Sequence, residues 1–160
     1  MTEENEVSLE LVGSQPPPKQ MRDLDFLLGS ISCVVNTGTK MTIEIRSVLG
    51  GNYFDCRVAV DRENGQQVNG VFALGWNAAD KVFSNYYYDD ARMQGTSTSP
   101  GWRDGTLTFQ GRYTLGEDHA EIRTLFERLD EDHFIVRELA LREDEWKLLD
   151  IQDCHRTPLE

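Results

Sequence analysis

The sequence predicts an all-β protein: an antiparallel up-and-down β-barrel with one short N-terminal helix and a detachable N-terminal arm. Three observations carry this. From Ser30 onward, short runs of alternating apolar and polar residues follow one another. Turn signals such as "NAAD", "RDG", "LGEDH" and "REDE" separate them about every ten residues, the spacing of sandwiches and barrels. Glycines at Gly70, Gly75, Gly95 and Gly111 fall inside the runs, where a small barrel bends its strands. Sequential hairpins favour a closed barrel, because closure leaves few strand edges unpaired.

The elements follow in order. Residues 1–15 form an acidic arm, and Pro16, Pro17 and Pro18 form a stiff joint that fixes φ and donates no hydrogen bonds. "KQMRDLDFLLG" reads as one helix, with Met21, Leu24, Leu27 and Leu28 on one face and Gly29 at the C-terminal cap position. "SISCVVN" is the first strand. "TKMTIEIRS" alternates cleanly, with Met41, Ile43 and Ile45 on one side. Gly50 and Gly51 turn the chain into "NYFDCRVAVD", and Asn64–Gly65 is a strong hairpin signal. "QVNGVFALGWN", "KVFSNYYYDD", "RMQGTSTS", "TLTFQGRYTL", "AEIRTLFERL", "HFIVRELALR" and "WKLLDIQDCHR" complete nine or ten strands.

The 160 residues suit one barrel domain over 19–160, preceded by the arm and hinge over 1–18. A net charge of −12 argues against nucleic acid and anionic membranes as partners. Three cysteines, an odd and sparse count, suggest free thiols rather than a disulfide framework. The start "MTEENEVSLE" lacks the basic and apolar segments of a signal peptide, and no run of about 18 apolar residues exists to span a membrane. The reading is a reduced, cytoplasmic protein.

"LDFLLG", "SVLGGNYF", "VFALGWNAADKVFSNYYYDD", "RTLFERLDEDHFIVRELAL" and "LLDIQDCHR" come in the order seen in bacterial lipocalin-like (calycin-type) barrels of formerly unknown function, which the chain resembles from about Leu24 to Arg156. One departure stands out. That family places a tryptophan two residues after the glycine of the opening helix, closing the barrel floor, and here the position is Ile31. The resemblance implies a cavity for a small apolar ligand. Its acidity and detachable N-terminal segment are further similar to the spirotetramate-forming [4+2] cyclases among such barrels.

No catalytic motif is evident. His119, His133 and His155 lack metal-ligand spacing, and in "DCHR" neighbouring residues point to opposite faces. No nucleophile–base motif and no phosphate loop is present, so neither metal nor cofactor is expected. The candidate site residues are Tyr86, Tyr88 and Gln110. Tyr86 and Tyr88 share a face of "FSNYYYDD" and offer apolar area with a polar tip, as a ligand cavity or an aromatic belt would. Gln110, if inward, is a neutral hydrogen-bond handle for a carbonyl; apolar residues on both faces of several strands leave the inner face open.

A cavity without an acid–base set suits a pericyclic reaction, in which orientation alone can be worth about 7–11 kcal/mol. The absence of a catalytic motif is equally compatible with no enzyme; it is the resemblance that implies a cofactor-free cyclase that closes a polyketide-type substrate to a spiro-tetramate or spiro-tetronate ring by intramolecular [4+2] cycloaddition. The alternative is a non-catalytic carrier or self-resistance protein for an apolar metabolite. A third class is an interaction module whose arm pairs with another sheet, and packing of barrels into an oligomer is compatible with each. In the arm, Val7, Leu9 and Leu11 share one face. Burying them yields roughly 5–8 kcal/mol. Ordering the segment costs on the order of 8–16 kcal/mol, and each strand hydrogen bond returns about 1. A balance near zero is what a lid closing over bound ligand requires.

Overall fold

The computed structural model describes residues 12–157. Val7, Leu9, Leu11 and the strand expected around them lie outside the described residues. A 3-10 helix spans Lys19–Leu27. Eleven strands follow: β1 (Gly29–Val35), β2 (Lys40–Val48), β3 (Tyr53–Asp61), β4 (Gln67–Asn77), β5 (Val82–Asp89), β6 (Met93–Ser99), β7 (Trp102–Arg103), β8 (Thr106–Leu115), β9 (Asp118–Arg128), β10 (His133–Arg142) and β11 (Glu145–Arg156). All pairings are antiparallel, and each long strand lies beside its neighbour in sequence. Pairing of β1 with β11, and of β6 with β8, closes ten of them into a barrel. The two-residue β7 caps the end of β8.

Glycine makes the second seam possible. A Cβ at Gly111 would sit 2.5 Å from Ser97 Cα and press on the Thr96 carbonyl, so only hydrogen lets β8 approach β6. At Gly95 a Cβ would run into the Tyr113 ring at 2.5 Å.

One end of the barrel is a packed apolar floor. Met21, Leu24, Phe26 and Leu27 of the helix are buried against Ile31, Phe54, Leu74, Phe83, Leu107, Phe109 and Phe134. The helix is 3-10 rather than α. It ends at Leu28, where the chain is extended, and Gly29, with φ 112°, opens β1 instead of capping the helix. Its last carbonyls are held by a side chain from the far end of the sequence. The Arg156 guanidinium donates to the carbonyls of Asp25 (3.1 Å), Leu28 (3.3 Å) and Glu131 (3.2 Å) and pairs with Asp132 at 3.0 Å. Ile31, where the sequence departs from the tryptophan of the barrels it resembles, is 1% exposed. Trp102 of β7 supplies the indole near the helix instead. Its ring lies 5.4 Å from Phe26, and its Nε1 donates to the Asp23 carbonyl.

The expectation of free thiols is corrected at Cys33 and Cys154, which form a disulfide. The register sets them directly opposite each other on β1 and β11, with both side chains turned inward. Their separation of 121 residues hid the pairing from a spacing argument. Cys56 is free and buried. The proline joint runs against the turn between β2 and β3: Asn52 Nδ2 donates to the Gln15 carbonyl, and Pro17 packs on Gly51. Among the described residues no helix is long and apolar enough to cross a membrane.

Candidate functional site: a polar belt inside the barrel

Above the floor the interior changes character. On β10, Phe134, Val136, Glu138 and Ala140 share the inward face, so an acid stands in an otherwise apolar row. On β11 the inward row is Cys154, Gln152 and Asp150. The register places Glu138 directly opposite Asp150, and a β-bulge follows at once between Glu138 and Leu139. A bulge bends the strand and re-aims the side chains beside it. Across the barrel, β5 contributes Asn85 and Tyr87, β6 contributes Ser97, and β8 contributes Tyr113.

These groups are linked. Tyr113 Oη donates to Ser97 Oγ at 3.1 Å, and Asn85 Nδ2 donates to both hydroxyl oxygens at 3.3 Å. Asn85 Oδ1 is buried and has no partner among the described residues. Tyr87 Oη donates to Asp89 at 2.8 Å, and its ring lies 6.3 Å from that of Tyr113. Gln152 Nε2 donates to Asp150 at 3.1 Å.

The electrostatics follow from burial. Solvent reaches part of the Glu138 side chain, but desolvation pushes its carboxyl up to about 7, with the Asp150 charge adding and Gln152 partly offsetting. Desolvation also raises Asp150. Both Tyr113 and Tyr87 are raised, first by burial and in part by the charge of Glu138, which ties the tyrosines to the same interior. The belt thus combines a carboxyl that exchanges its proton near neutrality, two neutral phenols and an unpaired amide oxygen. Such a set of donors and acceptors can hold a polar group by hydrogen bonds.

The residues singled out from sequence lie elsewhere. Tyr86 and Tyr88 are 50% and 63% exposed, on the outer face. Tyr88 borders an open outer groove of about 520 Å³. Gln110 also faces outward. It accepts from Arg123 Nε at 2.9 Å and borders a second outer groove of about 630 Å³. The inner face left open by the sequence is thus settled for these strands, and none of the three candidates lies on it. Of the three consecutive tyrosines, Tyr87 is the inward one. Neither outer groove contains the raised carboxyls, and the interior belt is the stronger candidate.

Fold and interior together define a small antiparallel barrel with a plugged apolar floor and a polar, titrating belt. Residues 34–149 match the model of a family described as protein of unknown function, DUF1579. The match covers most of the chain, which belongs to that family. No curated protein matches the chain.

Proposed function

We propose that this barrel binds a small molecule with an apolar body and one polar end. The body rests toward Phe83, Leu107 and Phe109, and the polar end meets Asn85, Tyr113 and Glu138. The unpartnered Asn85 Oδ1 carries the reading. A buried acceptor without a donor costs about 1–3 kcal/mol, and a ligand O–H or N–H at that point removes the cost. Glu138, close to half protonated at neutral pH, can donate to a carbonyl on the same ligand. Native mass spectrometry and solvent extraction of the full chain test this. The expected result is a retained small molecule that Asn85→Leu loses while keeping the fold. Equal retention by wild type and the variant sinks the proposal.

A second reading is the cofactor-free [4+2] cyclase that forms a spiro-tetramate or spiro-tetronate ring. Support comes from the belt offering both an acceptor and donors, as an amide- and enol-bearing tetramate ring needs. An apolar floor beneath it could fold a polyene chain. Because Tyr86, Tyr88 and Gln110 face outward, the orienting roles in this reading pass to Asn85, Tyr113 and Glu138, with the arm as lid. Incubation with a linear polyene tetramate should give a product of unchanged mass. Binding without conversion leaves the carrier or self-resistance reading in place.

A further inference from the structure

The outer surface near the floor holds a second cluster, away from the belt. Asp153 and His155 are two residues apart on β11 and therefore share its outward face. His133 is the register partner of His155 on β10. His133 Nε2 lies 2.6 Å from Asp153 Oδ1, and His155 Nε2 lies 3.3 Å from the same oxygen. The two imidazoles stack with centroids 4.0 Å apart. One ligand atom from each residue lies within 4.8 Å of the other two. Among the described residues, the Asp153 carboxylate pairs only with these imidazoles and with no lysine or arginine. The nearby Arg156 is committed to Asp132 and the helix carbonyls.

We propose that His133, Asp153 and His155 form a divalent transition-metal site of the zinc class. Two imidazoles and one carboxylate suit such ions. Metal–ligand bonds of about 2.0–2.2 Å in tetrahedral geometry put donor atoms about 3.3–3.5 Å apart. The His155–Asp153 pair already has that spacing. The His133–Asp153 contact opens by less than about an ångström, exchanging a hydrogen bond for a coordinate bond. Two adjacent strands fix the three Cα positions, so little backbone order has to be gained on binding. Side-chain exposures of 25%, 55% and 63% leave one side open for water or a further ligand.

The site is tested on the full chain after chelator treatment, titrated with Zn²⁺ by calorimetry and with Co²⁺ by visible absorption. One ion per chain and the intense bands of tetrahedral Co²⁺ are expected. His133→Ala and His155→Ala should each weaken binding at least about tenfold, since each removes one of three ligands. His119→Ala, on β9, should change nothing. Unaltered thermal unfolding of the apo variants separates lost coordination from lost structure. No saturation below about 100 μM Zn²⁺, where the binding free energy would be weaker than about −5.5 kcal/mol, overturns the proposal. Affinity unchanged in both variants does so too.

Discussion

Glu138 should make the barrel less stable as pH rises through neutrality. Its ordinary value is 4.5 and its folded value is about 7. Below 4.5 the carboxyl is neutral in both states and contributes nothing. Between 4.5 and 7 the unfolded chain releases its proton while the folded chain keeps it, so stability falls with pH. Above 7 the full penalty is present. At about 1.4 kcal/mol per pH unit, the change is roughly 3 kcal/mol. For a chain of this size that corresponds to roughly 6–12 °C in Tm. Asp150, also raised by burial, acts in the same direction. The assay is urea unfolding of ligand-free protein from pH 4.5 to 8, for wild type and Glu138→Gln. The amide keeps shape and polarity but does not titrate. The difference between the two curves should grow with pH in favour of the variant and level off above 7. Parallel curves would refute the assignment of Glu138 to a desolvated interior.

Three further outcomes are expected. Reducing Cys33–Cys154, or replacing both with serine, should lower stability by about 2–4 kcal/mol, because the bond closes a long loop in the unfolded chain; a urea midpoint unmoved by reductant would count against it. Tyr86→Ala, Tyr88→Ala and Gln110→Ala should each leave interior ligand retention within about twofold and stability within roughly 0.5 kcal/mol, as exposed sites do; loss of ligand in any of them would return the site to the outer face. Deleting residues 1–15 should leave the barrel folded by circular dichroism but shorten ligand residence; an unchanged off-rate would end the lid reading.

Strand alternation and turn residues placed all ten barrel strands to within a few residues, because antiparallel hairpins are local. The inner face of β5 was not legible. In "FSNYYYDD" both parities carry tyrosine, and only pairing of Tyr87 with Phe72 and Gly95 turns it inward. A signal for Glu138 did exist: Phe134, Val136 and Ala140 share its parity, and an acid in an apolar row marks an interior charge. The His133–Asp153–His155 cluster needed the β10–β11 register, since spacing along one strand shows only two of its members. The disulfide needed barrel closure itself.

The belt also predicts where the barrel should open first. A buried acceptor without a donor and desolvated carboxyls weaken local packing, and they gather at one level of the interior: the unpartnered Asn85 Oδ1 and the carboxyls of Glu138 and Asp150. The stabilising devices gather at the other end. There the disulfide ties β1 to β11, Arg156 holds the helix to the barrel, and Phe26 packs on Trp102, Phe126 and Phe134. Local opening free energies vary within one structure according to such contacts. Amide hydrogen exchange should therefore be slowest at Ile31, Phe83 and Phe134 and measurably faster at Glu138, Leu139 and Asp150 beside the bulge. Bound ligand should slow the second group more than the first, because it supplies contacts only at the belt. Uniform protection along β10, from Phe134 to Ala140, would contradict the division of labour between a rigid floor and an adjustable belt.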